Sequence, residues 1–334
     1  MASLIVEVCQ IDNFRKHPNA DALNIVEVKG WQCVTNETYE VGDVIVYIPI
    51  DSLIPIEWSD KWGVTKYLSK GRVRCARLRG EPSYGVLIPP ENPEWKVGDN
   101  VAEYFGITKY EPPITISAGD ADTPHALFEK YTDIENLRNF PAEIEEGEPV
   151  VVTEKIHGTN GRVGWIQGEL MAGSMEIRRK PSETSTYWFP LNSIPSVKNL
   201  VTELGEQSQQ VILFGEIFGS RIQNLNYGLK NAIGFRAFDL LVDGKYLDYE
   251  GFVSTCDKYG VERVPELYRG PFNMGVIKEL SKGNTVLANA DHIKEGVVIG
   301  LEKERMSPKI GRVKLKYLSD DYLLAKGITD SKDV

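Results

Sequence analysis

The chain has 334 residues, of which 42% are hydrophobic, with a net charge of -10. That length buries a full core and accommodates two domains of an α/β or α+β protein. The acidic balance excludes a protein that coats nucleic acid by bulk attraction, though not one with a local basic groove.

No apolar run reaches the length of about 18 residues that a membrane helix needs, and residues 1–9 lack the basic start and small-residue cleavage site of a signal peptide. The expectation is a cytoplasmic or otherwise intracellular protein in a reducing compartment, with no membrane partner. Cys9, Cys33, Cys75 and Cys256 form no C-x-x-C pair and have no histidine at zinc-ligand spacing, so they read as buried or incidental thiols. Basic clusters occur at 70–79, at Arg178-Arg179-Lys180 and at 309–316.

From Leu4 to about Phe105 the pattern predicts short strands at 4–8, 24–29, 43–50, 73–78 and 84–88, separated by turns rich in Gly, Pro, Asn and Asp. Five short strands in this space predict a small closed or partly open barrel. In Arg72-Val73-Arg74-Cys75-Ala76, strand alternation puts Arg72 and Arg74 on one face. That face suits either a phosphate-tracking groove or a charged edge strand that discourages aggregation.

Residues 111–125, with Glu111-Pro112-Pro113 and Gly119-Asp120-Ala121-Asp122, lack core-building periodicity and read as a linker between domains 1–110 and 126–334. The second domain opens at Phe128, where Thr132 or Asp133 is placed to cap a short helix. A strand at 148–152 then runs into Thr153-Glu154-Lys155-Ile156-His157-Gly158-Thr159-Asn160. Lys155 falls at the strand end, and Gly158 and Gly161 permit a turn and the close approach of a phosphate. Val197, Leu200, Val201 and Leu204 fall at helical spacing. Strands are predicted at 210–214, 234–241, 295–300 and 312–317, and helices at 251–259 and 276–281, ended by Gly260 and Gly283.

Polar residues recur at strand ends: Lys155, Glu216, Asp239, Glu295, Lys314 and Lys316. Each alone suits a cap or a surface position. Together they describe a cleft fit for nucleotide and metal.

Two stretches of the front domain, His17-Pro18-Asn19-Ala20-Asp21-Ala22-Leu23 and Leu78-Arg79-Gly80-Glu81-Pro82-Ser83-Tyr84-Gly85-Val86-Leu87, resemble OB-fold modules that bind transfer RNA. The run Glu154-Lys155-Ile156-His157-Gly158-Thr159-Asn160 resembles motif I of the covalent nucleotidyltransferases, most closely the nick-sealing RNA ligases. Phe214-Gly215-Glu216 looks like motif III, Phe238-Asp239 like motif IIIa, Glu295-Gly296-Val297-Val298 like motif IV, and Lys314-Leu315-Lys316 like motif V. Their order and spacing fit, over about residues 128–318. An OB domain ahead of the catalytic domain is similar to the Naegleria and Deinococcus types.

The resemblance implies an α+β protein: an N-terminal OB-type barrel, then a nucleotidyltransferase domain of ATP-grasp-like character, built of antiparallel sheets and helices. It implies an ATP-dependent RNA ligase that joins 3′-OH and 5′-phosphate ends through a lysyl-AMP on Lys155, with Mg²⁺ or Mn²⁺ as the metal. Its partner would be RNA, as a nicked duplex, and the protein a monomer. A free lysine has a pKa of about 10.4 and must be neutral to attack; the metal, Lys314 and Lys316 would lower it and neutralise charge on the phosphates. Glu216 and Glu295 would be the metal acids. Phe238 would stack on adenine, Asp239 would support the site, Glu154 would lie near the adenine edge and Asn160 near ribose or phosphate. His157 stands where other branches carry aspartate, and would contact phosphate or a later substrate rather than metal. Motif Ia contributes an arginine, Arg178 or Arg179, with Arg179 preferred. The alternatives are a DNA ligase or capping guanylyltransferase, which place the OB domain after the catalytic one, or a non-catalytic RNA-binding protein built on the barrel.

Overall fold

The computed structural model describes residues 4–111, 120–287 and 290–325. They fall into two compact units, one of Met1–Pro113 with Leu323–Val334 and the other of Ile114–Tyr322.

The first unit is a set of short antiparallel strands. They are β1 (Glu7–Gln10), β2 (Asn13–Lys16), β3 (Asn24–Val28), β4 (Trp31–Thr35), β5 (Val44–Pro49), β6 (Ser52–Leu53), β7 (Ala76–Leu78), β8 (Glu81–Ser83), β9 (Gly85–Ile88) and β10 (Thr108–Lys109), with short helices α1 (Ile56–Lys61) and α2 (Ala102–Phe105). Two three-stranded sheets, β1-β5-β9 and β2-β3-β4, form the body, and hairpin β7-β8 and the pair β6-β10 complete it. The core is β-branched and aromatic: Val26, Val28, Trp31, Ile45 and Ile48 are all at or below 1% exposure. Strands β2 and β4 were not legible in the sequence pattern, because Asn13-Phe14-Arg15-Lys16 is mostly exposed and carries no apolar alternation.

The two stretches singled out in this unit hold each other. His17 is buried and its Nε2 lies 2.9 Å from the Leu78 carbonyl, while the Asn19 side-chain amide donates to the Arg79 carbonyl at 3.3 Å. Arg72 departs from the expected groove. It is 8% exposed, its Nε donates to Asp51 at 2.5 Å, and its guanidinium sits 4.0 Å over the Tyr110 ring. It belongs to the core, and only Arg74, Arg77 and Arg79 remain exposed from the stripe.

The second unit has two sheets. Its strands are β11 (Glu135–Asn136), β12 (Pro149–Lys155), β13 (Thr159–Ile166), β14 (Glu169–Ser174), β15 (Arg178–Arg179), β16 (Gln210–Gly219), β17 (Ile233–Val242), β18 (Lys245–Tyr246), β19 (Glu266–Pro271), β20 (Gly296–Leu301), β21 (Met306–Ser307), β22 (Gly311–Arg312) and β23 (Lys314–Leu318). Five form a sheet in the order β11-β23-β20-β12-β19, and six another in the order β15-β14-β13-β16-β17-β18. The helices are α3 (Phe189–Ser193), α4 (Pro195–Gly205), α5 (Tyr249–Tyr259), α6 (Met274–Ser281) and α7 (Asp320–Leu324).

Helices α4 and α5 pack on the six-stranded sheet, joining Val197, Leu200, Val201, Phe252 and Cys256 to Val163 and Leu213. Pro195 at the first turn of α4 fits its fixed φ, and Gly260 at φ 72° ends α5 in the left-handed region that glycine enters without strain. Helix α6 packs Ile277 on the far side of the five-stranded sheet, among Val150, Val152, Val297 and Leu315. Burial pushes the Cys9, Cys33 and Cys256 thiols up to about 12, as expected of apolar-packed cysteines.

The short helix expected at Thr132 or Asp133 is absent. Residues 128–134 instead cross the open face of the six-stranded sheet, where Phe128 and Tyr131 are buried against Ile212, Phe214 and Leu241, and the chain then enters β11, parallel to β23. Of the stretch 111–125, residues 112–119 lie outside the described residues. Asp120 to Asp122 pair along β15: Lys180 N–H donates to the Asp120 carbonyl at 2.8 Å, and Asp122 N–H to that of Arg178 at 2.8 Å.

Candidate active site

Lys155 is the last residue of β12, at the point where the chain leaves the five-stranded sheet and, within four residues, starts β13 of the other. The crossing must be tight. A Cβ on Gly158 would lie 2.3 Å from the Ile217 carbonyl oxygen and 2.9 Å from Glu216 Cγ, and one on Gly161 would lie 2.7 Å from Ile217 Cδ1. It is strand β16 that packs against both glycines at this crossing.

Register fixes which side chains share a face. Lys155 lies opposite Gly296, and Thr153 opposite Val298, which is in turn opposite Lys316. Alternation therefore places Lys155, Val298, Lys316 and Lys314 on one face, away from the Val150-Val152-Val297 core. On the six-stranded sheet, Asn160 lies opposite Glu216, and Arg162 opposite Phe214.

Glu295, just before β20, is 0% exposed and forms an ion pair through Oε1 with the Lys155 ammonium, whose side chain is 21% exposed. His157 is also buried, at 2% exposure. Its Nδ1 is 3.4 Å from Glu295 Oε2 and 3.1 Å from the Tyr322 hydroxyl, and its backbone N–H donates to the Tyr227 hydroxyl at 2.7 Å. The Nδ1 edge of the imidazole thus faces protein groups. Burial raises the Tyr227 phenol pKa, and the charges of Glu295, Glu154 and Glu216 add to the shift.

Glu154 is 1% exposed. Its Oε2 accepts from the Val286 N–H at 2.9 Å, and its Oε1 is buried with no hydrogen-bond partner among the described residues. Asn160 Oδ1 is likewise buried without a donor among them. Orphaned buried acceptors are rare in folded proteins and mark places where another group belongs.

A second polar cluster closes the seam between the sheets. Asp239 is 2% exposed; its Oδ2 accepts from the Tyr131 hydroxyl at 2.8 Å and is 2.6 Å from both Lys314 Nζ and Arg312 Nη1. Arg312 continues to Glu304, at 2.5 Å, and lies 3.6 Å over the Tyr246 ring. Burial by itself raises the carboxyl pKa of Asp239, but Lys314 and Arg312 outweigh it and hold the group below its usual range. Lys314 is consequently engaged by Asp239, one register pair from Lys316. Lys316 itself is 8% exposed. Phe238 sits at the β17 bulge, half-buried, its ring 4.8 Å from that of Tyr131. Arg312, Tyr131, Tyr227 and Tyr322 are among the members of these clusters that sequence patterns missed; the aromatics look like ordinary core residues, and Arg312 like one more charge of a basic strand.

The two adjacent arginines part company. Arg178, at the sheet edge, pairs with Asp122 at 3.2 Å and Glu169 at 3.7 Å. Arg179 is 6% exposed, pairs with Asp120 at 2.5 Å and lies 5.1 Å over the Tyr187 ring, whose hydroxyl is 3.4 Å from Thr159 Oγ1. Among the described residues, no three His, Cys, Asp or Glu side chains form a ready-made metal cluster. The acids at hand, Glu216 and Glu295, supply hard oxygen donors, which fits an ion such as Mg²⁺ that keeps waters and takes further ligands from phosphates.

An RNA ligase family model matches residues 148–318, slightly more than half of the chain, and an OB-fold domain model matches residues 5–90. A comparison with curated proteins returned no match. Among solved structures, the Naegleria gruberi RNA ligase with PPi is 26% identical, with a TM-score of 0.77, covering 96% of this chain and 98% of that one. A lysine-to-methionine variant of the same ligase, with AMP and Mn, gives 26% identity and a TM-score of 0.79 at the same coverage. An arginine-to-alanine variant with ATP and Mn gives 26% and 0.77.

Proposed function

The chain belongs to the RNA ligase family, and from that membership we propose how its residues divide the work of an ATP-dependent ligase. The observation that carries the proposal is Lys155 itself: a partly exposed amine at a strand end, held by a wholly buried carboxylate and flanked by two buried acceptors that lack donors among the described residues.

Lys155 Nζ attacks the α-phosphate of ATP. A P–N bond forms, the bond to the bridging oxygen of the β-phosphate breaks, and pyrophosphate leaves. The ion pair with Glu295 stabilises the ammonium, so the pair is a resting state that must part, with loss of a proton, before attack. Glu154 Oε1 is placed to accept from the adenine amino group, and Asn160 Oδ1 from a ribose hydroxyl. Phe238 provides an apolar face for the base. Lys316 and Lys314 share the Lys155 face and offset phosphate charge, with Asp239 fixing Lys314 in place. Glu216 and Glu295 would hold a divalent ion, which when bound supplies charge neutralisation at the phosphates. Arg179, tied through Tyr187 to Thr159 of the lysine loop, is the arginine assigned to the 5′-phosphate or ribose.

The AMP then passes to an RNA 5′-phosphate, and an RNA 3′-hydroxyl displaces it. Residues 1–110 serve as the RNA-docking domain through exposed Arg74, Arg77 and Arg79, residues 126–334 carry the adenylyltransferase, and 111–125 join them. The preferred substrate is a nicked duplex, the protein acts as a monomer, and its free thiols, buried at Cys9, Cys33 and Cys256, suit a reducing intracellular compartment. No helix among the described residues is long and apolar enough to cross a membrane.

The test is covalent labelling with α-labelled ATP and Mg²⁺. Wild-type protein takes up label and Lys155→Ala does not. Label from GTP in place of ATP would move the reading to a capping guanylyltransferase, and no label from any nucleotide would reduce the protein to an RNA-binding module.

A further inference from the structure

Beyond the strand that carries Lys314 and Lys316, the chain makes one more turn whose purpose the five motifs leave unassigned. Strand β23 ends at Leu318 and helix α7 starts at Asp320. Ser319 between them is 3% exposed and fully bonded. Its Oγ accepts from the Tyr322 N–H at 3.1 Å, as an N-cap does, and donates to the Lys294 carbonyl at 3.0 Å, while its N–H donates to the Glu295 carbonyl at 3.0 Å. One serine therefore ties the backbone of Glu295 to the first turn of α7. The side chain this fixes is Tyr322, which is 0% exposed.

We propose that Tyr322 is a positioning residue for adenylyl transfer: its phenol holds the His157 ring, and through that ring the Glu295 carboxylate, in register with Lys155. The inference rests on the reading of Lys155 as the nucleophile. Three contacts carry it: Tyr322 Oη to His157 Nδ1 at 3.1 Å, His157 Nδ1 to Glu295 Oε2 at 3.4 Å, and the ion pair of Glu295 Oε1 with Lys155. The rings of Tyr322 and His157 meet edge-on, with centroids 5.4 Å apart and planes at 68°. His157 is thus held at two points, its main chain by Tyr227 and its ring by Tyr322.

Electrostatics sets the hydrogen. A bare Nδ1 lone pair aimed at a carboxylate would be repelled, so Nδ1 carries the proton and shares it between the phenol oxygen, which is nearer, and Glu295. Without that oxygen, the N–H turns wholly to Glu295 and shifts the carboxylate, so that Lys155 is no longer aimed when the pair parts. Tyr322, being wholly buried, acts without touching nucleotide or RNA.

The experiment compares wild type, Tyr322→Phe, His157→Ala and the double variant in the full-length protein. Tyr322→Phe keeps the ring and removes the oxygen. It should slow formation of the labelled protein about tenfold, the scale of a supporting contact one shell from the chemistry, with the KM for ATP and the melting temperature near wild type. In the His157→Ala background the same change should cost nothing further. Nitrogen-15 spectra provide a readout independent of activity: of the four histidines in the chain, only the ring signals of His157 should move in Tyr322→Phe. Ser319→Ala, which loosens the start of α7 and leaves the phenol intact, should move the same signals by less. Wild-type labelling rate together with unmoved His157 signals in Tyr322→Phe would overturn the proposal. A loss that adds to that of His157→Ala, with a matching fall in melting temperature, would also overturn it, since it would make Tyr322 mere packing. Failure of wild type to label would instead strike at the role of Lys155, leaving the spectra to report on the clamp.

Discussion

Lys155 and Glu295 meet as an ion pair in which the carboxylate is wholly buried while the ammonium keeps about a fifth of its side chain exposed. The asymmetry separates two functions of the lysine. Its charge compensates Glu295, and its amine is the part a substrate reaches. Lys155→Ala should lose both, leaving Glu295 buried and uncompensated at a cost of about 3–5 kcal/mol. Lys155→Arg should keep the fold near wild-type stability and still form no covalent nucleotide. Chemical denaturation beside a labelling assay reads both; labelling of the arginine variant would refute the nucleophile assignment.

Asp239 carries the seam between the two sheets. Its carboxyl pKa is held down by Lys314 and Arg312 against the effect of burial. A carboxyl lowered in the folded state contributes stability that is fully present above its unfolded pKa, near 3.9, and is lost as pH falls through the folded value. Wild type should therefore lose stability on acidification below about pH 4. Asp239→Asn should lose it already at neutral pH and depend less on acid, as measured by thermal melts across pH. A variant as stable as wild type at neutral pH would contradict this.

Gly158 has no room for a side chain. A methyl there would meet the Ile217 carbonyl oxygen at 2.3 Å, a backbone atom of a central strand that cannot swing aside. Gly158→Ala should push apart β13 and β16, displace Glu216, and reduce labelling about a hundredfold or more, since placement errors near 1 Å cost on that order. Normal labelling by the alanine variant would show that the crossing is looser than described.

Arg74, Arg77 and Arg79 are exposed on the first unit, whereas Arg72 is locked to Asp51. Replacing the three exposed arginines with alanine should leave lysine labelling unchanged, weaken sealing of a nicked RNA duplex and make its salt dependence shallower than that of wild type. Loss of three phosphate contacts predicts about a tenfold or greater fall at physiological salt. Arg72→Ala should instead lower the melting temperature. Equal sealing by the triple variant and wild type would remove the docking role from this face.

Much of the fold was legible because periodicity and punctuation agreed. Val197, Leu200 and Val201 gave α4 its buried stripe, and Gly260 marked the end of α5. The strand-end residues were legible as types: the structure pairs Lys155 with Glu295 and Asp239 with Lys314. What pattern could not supply was partnership. Nothing local marks that Tyr131 reaches Asp239, 108 positions on, or that Tyr322 reaches back 165 positions to His157. The segment from Phe128 to Leu137 misled for the same reason. Thr132 and Asp133 suit a helix cap, but the apolar residues around them are shared between the cores of two sheets, which only an irregular crossing can serve. Arg72 was misread because alternation places it on a face without saying whether that face turns to solvent.

The central claim is that Lys155 is the residue adenylylated. The most direct measurement is peptide mass spectrometry after incubation with ATP and Mg²⁺ and quenching under alkaline conditions. The account predicts one AMP on the peptide containing Thr153-Glu154-Lys155, with the modification on Lys155. AMP on Lys314, Lys316 or any other residue, or a fully unmodified protein that nevertheless seals RNA, would contradict it.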